Sequence, residues 1–153
     1  MKNLLIVYHS QSGKNLEMAN AVHTGATHPD ISGVEVRFLR AFDAGAEDLL
    51  WADGIIFGTP ENFGYMSGAM KDFFDRTFYS VEGAVEAKPY CVFIGAGNDG
   101  QGALSSLTRI IKGYKFKEIH EPLIIVGELT EEVNARCEEL GMGMAAGLEA
   151  GIY

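Results

Sequence analysis

The 153-residue sequence has little cysteine and no long apolar run. Its two cysteines, Cys91 and Cys137, lack the C-x-x-C spacing of a redox or metal motif, so we expect two buried free thiols. The apolar runs at 4–7 and 123–126 fall far short of the roughly 20 residues that a membrane-spanning helix needs. No signal-peptide cleavage pattern follows the first run. These absences predict a cytoplasmic protein without a membrane span.

Positive charge is also scarce, with 12 Lys and Arg against 21 Asp and Glu and a net charge of -9. Because no Lys/Arg cluster is present, the sequence argues against a nucleic-acid-binding surface. The acidity suits docking to a basic partner, with a solvated acidic surface as the alternative. The four histidines, His9, His23, His28 and His120, form no i,i+3 or i,i+4 pair, and we therefore expect no metal site.

Five apolar runs rich in β-branched residues alternate with helical patterns. The runs are residues 4–8, 34–39, 54–58, 90–94 and 123–126. Near-continuous apolar strands are typical of a parallel sheet covered on both faces, and the alternation predicts right-handed crossovers. The sequence therefore predicts a three-layer α/β sandwich that occupies residues 1–153 as one domain.

The intervening stretches repeat apolar residues at helical spacing. The predicted buried stripes are Leu16, Ala19 and Val22; Met66, Met70, Phe73 and Phe74; Leu104, Leu107, Ile110, Ile111 and Tyr114; and Val133, Cys137, Leu140 and Met144. Thr130 is a candidate N-cap of the last helix, and residues 46–51 predict a short helix whose Trp51 we assign to the core.

Ligands of an open parallel sheet bind beyond the carboxyl ends of its strands, which directs attention to three loops. The first loop, residues 9–15, reads His9-Ser10-Gln11-Ser12-Gly13-Lys14-Asn15. A glycine, hydroxyls and free amides at a helix N-terminus can hold phosphate, with Ser10, Ser12 and Asn15 as donors and Lys14 adding charge. The alternative is a plain helix capped by Ser12. The nucleoside-triphosphate pattern fails, because it needs Gly and Ser/Thr where Tyr8 and Asn15 stand.

The second and third loops are rich in glycine. The second loop, residues 58–67, reads Gly58-Thr59-Pro60-Glu61-Asn62-Phe63-Gly64-Tyr65-Met66-Ser67. Its aromatics can stack on a flat heterocycle, although a surface turn with Ser67 as helix cap is the alternative. The third loop, residues 95–102, reads Gly95-Ala96-Gly97-Asn98-Asp99-Gly100-Gln101-Gly102. This G-x-G-x-x-G match, with Glu118 as ribose acid, is weak evidence for a dinucleotide, and backbone approach to a ring edge explains it equally well.

Together the three loops resemble those of the flavodoxin-like FMN-binding family. The first loop is similar to that family's T/S-x-T/S-G-x-T phosphate loop, with Asn15 in place of the last Thr. The second loop resembles G-T-P-T-R-F-G-N-M-S of the tryptophan-repressor-binding-protein branch, the NAD(P)H:quinone oxidoreductases, from which Glu61, Asn62 and Tyr65 depart.

The resemblance implies FMN as cofactor and a five-stranded parallel sheet in the order 2-1-3-4-5. The implied cofactor-binding residues are Ser10, Gln11, Ser12, Gly13, Lys14, Asn15, Thr59, Pro60, Glu61, Asn62, Phe63, Gly64, Tyr65, Ala96, Gly97, Asn98, Gly100 and Gly102. No proton-transferring residue is assigned, His9 and His120 being candidates by type alone.

Two functions follow from the resemblance. The first is an FMN-dependent oxidoreductase that takes a hydride from NAD(P)H, a transient donor, and reduces a quinone or similar acceptor. The alternative is a flavodoxin-type electron carrier that docks a redox protein. The third loop has no aromatic residue, which leaves one ring face open and favours the reductase, whereas the acidity favours the carrier. A third class, a flavin-free binding module, requires the first loop to be only a helix cap. The oligomeric state is left open.

Overall fold

A computed structural model describes residues 1–153. In it, the apolar runs of the sequence form parallel strands. The strands are β1 (Lys2–Tyr8), β2 (Val34–Arg40), β3 (Gly54–Pro60), β4 (Pro89–Ala96), β5 (Lys117–Glu118) and β6 (Leu123–Val126). The helices are α1 (Lys14–Ala26), α2 (Ala46–Trp51), α3 (Gly68–Val81), α4 (Gln101–Tyr114) and α5 (Glu131–Ala150). Each helix from α1 to α4 connects two strands that run in the same direction.

The sheet has the order β2-β1-β3-β4, and both β5 and β6 pair with the outer side of β4. The predicted order 2-1-3-4-5 is confirmed, but the fifth position holds two short strands where the sequence predicted one. Lys117–Glu118 lies beside Pro89 and Tyr90, and Leu123–Val126 lies beside the end of β4. Pro122 interrupts this edge because proline has no N–H to give to a ladder.

Two apolar layers cover the two faces of the sheet. Along β1, Leu5 and Val7 pack with α2, α3 and α4, whereas Leu4 and Ile6 pack with α1 and α5. This alternation follows from the two-residue period of a strand, and burial on both faces explains why the central strands are almost entirely apolar. The sheet thereby fixes the carboxyl ends of β1, β3 and β4 side by side.

The predicted helix ends and stripes are largely confirmed. The hydroxyls of Ser67 and Thr130 accept hydrogen bonds from Met70 N and Val133 N, respectively, so each caps its helix. Phe73 and Phe74 are buried in the core. The prediction for Leu16 was wrong, because its side chain is 41% exposed. The buried face of α1 is formed by Asn15, Met18, Ala19, Ala21, Val22, Gly25 and Ala26.

Trp51 lies at the margin of the core rather than inside it. Its side chain is half-buried, and the Arg37 guanidinium lies 4.0 Å from the ring centroid in a cation–π contact. Arg37 also donates to the buried carboxylate of Asp48 at 2.9 Å. Trp51 therefore shields a charged pair at the sheet edge. None of the helices combines the length and the apolar character required to cross a membrane.

The two cysteines are buried and free, as predicted. Burial raises the pKa of Cys91 strongly and that of Cys137 to about 11. Because the thiolate is the reactive form, we expect neither thiol to react with an aromatic disulfide reagent at pH 8 in the folded protein, and both to react after denaturation. Absorbance of the released thiolate measures this. Rapid labelling of one thiol in the folded protein would contradict the burial of that cysteine.

Candidate functional site

The first loop (residues 9–15) leads from β1 into an uncapped helix. Gly13 occupies the N-cap position of α1 with a φ of 98°, in the left-handed region that favours glycine. No side chain caps the helix, so Ser12 is not the cap that the alternative interpretation required. The Ser10 hydroxyl accepts from Gly13 N at 3.1 Å, which shapes the turn, and Ser12 is exposed. The amides of the first helical turn remain available to an anion.

Two buried side-chain nitrogens without hydrogen-bond partners bound this loop: His9 Nδ1 at its start and Asn15 Nδ2 at its end. Asn15 is 2% exposed, and its other amide atom, Oδ1, lies against the backbone of Gly95 in the third loop. A buried donor without an acceptor costs free energy. Asn15 Nδ2 is therefore a donor available to an acceptor at the start of α1. Burial lowers the pKa of His9, which favours its neutral form.

Lys14 lines the same cavity as Ser12 and Gly13, and its ammonium group bonds backbone carbonyls at two strand ends. Its Nζ donates to the carbonyl oxygens of Ala96 at 3.1 Å and Ile125 at 3.2 Å, near the carboxyl ends of β4 and β6. Burial lowers the pKa of this ammonium group. A cavity of about 610 Å³ lies beside it. The cavity is lined by Ser12, Gly13, Lys14, Glu17, Gly127, Glu128 and Leu129.

The second loop (residues 58–67) contains a tight antiparallel turn. Asn62 and Tyr65 exchange backbone hydrogen bonds at 2.9 and 3.1 Å, and the two residues between them, Phe63 and Gly64, have φ values of 51° and 68°. Positive φ at both central positions is the mark of a type I′ turn and is rare for an aromatic residue. The Phe63 side chain is fully exposed at the tip of this turn. The turn therefore presents an exposed aromatic ring at a cost in backbone strain.

Thr59 anchors the base of the second loop. Its buried hydroxyl donates to Pro60 O and accepts from Ser67 N at 2.9 Å in each case. At the outer side of the loop, Asn62 Nδ2 donates to Gln11 Oε1 at 3.3 Å, which brings the first and second loops into contact. The Thr59 side chain thus supports the loop, while Asn62 and Gln11 lie at its surface.

Glu61 joins the second loop to helix α4. Its Oε2 accepts hydrogen bonds from Gly102 N at 3.0 Å and Ala103 N at 3.2 Å, where the helix dipole favours negative charge. A side chain on Gly102 would collide with Gly64 O, to which its Cβ would lie 2.0 Å away. A glycine is therefore needed at position 102 for close packing against Gly64, and its amide donates to Glu61. Sequence reasoning missed this cap because 41 residues separate its partners.

The third loop (residues 95–102) exposes Gly97 and Asn98 at its tip. Gly100 has a φ of 73° and packs against Ile124, and these two constraints explain the glycine. Glu118 pairs with Tyr90 near the start of β4, six residues or about 20 Å along the strand from Ala96. The interpretation of Glu118 as a ribose-binding acid was therefore wrong. Without that acid, only the G-x-G-x-x-G match supports a dinucleotide site.

Comparisons with known proteins agree with this architecture. A family described as NADPH-dependent FMN reductase matches residues 38–131. A flavodoxin of Aquifex aeolicus (strain VF5) is 33% identical over 162 aligned positions, covering 95% of this chain and 86% of that protein. The chain belongs to the flavodoxin-like family of FMN-binding proteins.

Other members of the flavodoxin-like family extend the comparison. An NAD(P)H dehydrogenase (quinone) of Acidithiobacillus ferrooxidans (strain ATCC 53993 / BNL-5-31) is 32% identical over 148 positions, covering 83% of this chain and 71% of that protein. The solved structure of an archaeal flavodoxin matches with a TM-score of 0.83 at 22% identity, over 96% of this chain and 99% of that one. The flavodoxin-like fold, FMN binding and redox activity predicted from the sequence are confirmed at the level of the family.

The geometry of the first loop fits the phosphate that a flavodoxin-like protein binds. Phosphate oxygens accept hydrogen bonds, and the loop offers the amides of an uncapped helix, the free hydroxyl of Ser12 and the unpartnered Nδ2 of Asn15. A Cβ built on Gly13 meets no atom within 4 Å, so open space lies beside the turn. These donors are neutral, and the Lys14 ammonium beside them has two of its three N–H groups bonded to carbonyls.

His120 lies outside this site. Its Nε2 is 3.1 Å from the hydroxyl of Tyr153, which also donates to Gly143 O at 3.2 Å. These contacts fasten the end of the chain to α5, so a structural role accounts for His120. His9 is the first residue of the first loop, but its ring packs edge-on against Phe42 with centroids 6.1 Å apart. We assign no proton-transferring residue.

Proposed function

We propose that residues 1–153 act as one flavodoxin-like domain that binds FMN and passes electrons from NAD(P)H to a quinone or similar acceptor. The unpartnered donor of Asn15 at the uncapped start of α1 carries this proposal, since it requires an acceptor such as the FMN phosphate. Ser10, Gln11, Ser12 and Gly13 complete the phosphate site. The cytoplasm is the location that this proposal assigns, since NAD(P)H is the donor it names.

The flat ring system of FMN would lie between the second and third loops. On one side, the turn at Phe63 and Gly64 carries an exposed aromatic face, with Tyr65 also 43% exposed. On the other side, the backbone of Ala96, Gly97 and Asn98 contributes no aromatic ring. Bound FMN supplies hydride and electron transfer. The chain's residues orient it and leave one face accessible to a nicotinamide.

In this proposal the site residues predicted from the sequence take two roles. Those that would touch FMN are Ser10, Gln11, Ser12, Gly13, Asn15, Pro60, Asn62, Phe63, Gly64, Tyr65, Ala96, Gly97 and Asn98. Thr59, Glu61, Lys14, Gly100 and Gly102 support the loops through the hydrogen bonds and close packing described above.

A flavodoxin-type electron carrier is the second candidate. The net charge of -9 favours it, because an acidic protein docks readily to a basic redox partner. Identity of 33% to a flavodoxin and 32% to a quinone dehydrogenase supports the two functions about equally. The open third loop favours the reductase.

Anaerobic stopped-flow mixing of the FMN-loaded protein with NADPH or NADH tests the proposal. We expect at least one nucleotide to bleach the flavin absorbance at a catalytically useful rate, and a quinone to restore it. Reduction by a flavodoxin reductase alone, with neither nucleotide effective, would identify a carrier. A protein that takes up no FMN on titration would overturn both functions and favour a flavin-free module.

A further inference from the structure

Two charged side chains beside the site are bonded to backbone groups. The Glu61 carboxylate accepts from the amides of Gly102 and Ala103, and the Lys14 ammonium donates to the carbonyls of Ala96 and Ile125. Each charge therefore already has partners of opposite polarity within the protein. A charge held in this way is not free to contribute its full strength to a ligand.

Glu61 fastens the second loop at more than one atom. Besides its carboxylate on α4, its backbone N donates to Gly95 O at 3.1 Å. Close by, Gly64 O lies against the Cα of Gly102, at a distance that excludes any side chain there. The turn that carries Phe63 is therefore held against the third loop and the first turn of α4 from both ends.

Lys14 makes the corresponding connection for the first loop. It is the first residue of α1, and it reaches to the last residue of β4 and to β6. Ala96 immediately precedes Gly97, the exposed tip of the third loop. Lys14 thus connects the third loop to the start of α1 through two charge-assisted hydrogen bonds, beside the packing of Asn15 against Gly95.

We infer that Glu61 and Lys14 are positioning residues that hold the three loops in their binding arrangement before FMN arrives. This inference rests on the proposed function, since it names how that site is assembled. Ordering loops during binding costs free energy, and a site assembled in advance avoids this cost. Removal of either side chain therefore slows binding of the whole cofactor and does not act on its phosphate alone.

Riboflavin separates this role from direct phosphate binding, because it carries the same ring and side chain as FMN without the phosphate. If Lys14 held the phosphate, Lys14→Met would weaken FMN binding and leave riboflavin binding unchanged. If Lys14 positions the loops, Lys14→Met lowers the association rate constants of FMN and of riboflavin by the same factor. The ratio of the two association rate constants therefore reports the role of the side chain.

The experiment compares Glu61→Ala, Glu61→Gln and Lys14→Met with wild type, all as full-length protein. Glu82→Gln and Lys112→Met are matched controls that remove the same charges from exposed residues. Hydrogen exchange of the Gly102 and Ala103 amides is measured on FMN-free protein. Association of FMN and of riboflavin is followed by flavin fluorescence, and circular dichroism identifies any variant that fails to fold.

We expect Glu61→Ala to lower protection of the Gly102 and Ala103 amides about tenfold, because two charge-assisted hydrogen bonds are lost. Association of FMN and riboflavin should slow by a common factor of about 3 to 10 in both Glu61→Ala and Lys14→Met, the cost of ordering loop side chains. Glu61→Gln should recover part of both effects, since its amide oxygen still accepts.

Unchanged protection and association in Glu61→Gln and Glu61→Ala would overturn the role of Glu61. A loss confined to FMN in Lys14→Met would overturn the role of Lys14. If wild type binds neither FMN nor riboflavin, the proposed function fails. The exchange data on FMN-free protein still report whether the two side chains hold the loops.

Discussion

Replacing Ser12 with glutamate is expected to weaken FMN binding by about 100-fold or more, because like charges placed together in a binding site cost several kcal/mol. Ser12 is exposed, adjoins Gly13 and lines the cavity beside the start of α1. A carboxylate at this position would compete with phosphate for the uncapped amides and repel it. Quenching of FMN fluorescence on titration measures the dissociation constant.

The Ser12→Ala variant and the ligand riboflavin are the controls for the effect of charge on phosphate binding. Ser12→Ala removes one hydroxyl donor without adding charge and should weaken FMN binding about tenfold at most. Riboflavin has no phosphate, so Ser12→Glu should leave its affinity nearly unchanged. Thermal stability should be maintained, since negative charge is favourable at a helix N-terminus. If Ser12→Glu lowers the affinities for FMN and riboflavin equally, the assignment of the phosphate to the first loop is wrong.

The strands could be predicted closely because burial on both faces leaves a direct record in the sequence. The predicted run at residues 4–8 lies within Lys2–Tyr8, and the run at 123–126 coincides with β6. All eight residues of β4 are buried, as a continuous apolar segment predicts. The loops that follow such strands must then meet at one edge of the sheet, so the strands alone predict that the three candidate loops lie together.

Leu16 and the split edge strand show where periodicity fails. The buried face of α1 includes Asn15 and Met18, and much of it is glycine and alanine. Leu16 is more apolar than most of these residues, so its apolar character wrongly predicted that it would be buried. Strand β5 is a two-residue segment, Lys117–Glu118, that is charged and exposed, and it is held beside β4 by hydrogen bonds from Lys117 N to Lys88 O and from Ile119 N to Tyr90 O. Neither feature has a hydrophobic signature.

The partners of Glu61 and Lys14 could not be predicted for a different reason. A sequence shows that a residue is charged, but their partners are backbone amides and carbonyls, which every residue possesses. The bonds of Lys14 span 82 and 111 residues. Only the three-dimensional arrangement of strand ends selects which carbonyls lie within reach. The sequence therefore shows the charge of Lys14 but not the carbonyls at the ends of β4 and β6 that it bonds.

Replacing Gly141 with alanine is expected to destabilise the fold by about 3 kcal/mol and to lower Tm by about 6–12 °C. A Cβ at Gly141 on α5 would lie 1.9 Å from Val22 O on α1, and one at Gly25 on α1 would lie 1.9 Å from Glu138 O on α5. Both obstacles are backbone atoms that cannot rotate away, so the two helices must separate. Thermal and urea unfolding followed by circular dichroism measure the change.

Gly113→Ala is the matched control, because Gly113 lies in α4 with no atom within 4 Å of an added Cβ. Alanine there should stabilise the protein by about 0.5–1 kcal/mol through its helix propensity. Gly25→Ala should resemble Gly141→Ala. The double variant should cost less than the sum, since helices already pushed apart by one methyl group accommodate the second more easily. Strict additivity, or a Gly141→Ala variant as stable as wild type, would contradict the close backbone contact between α1 and α5.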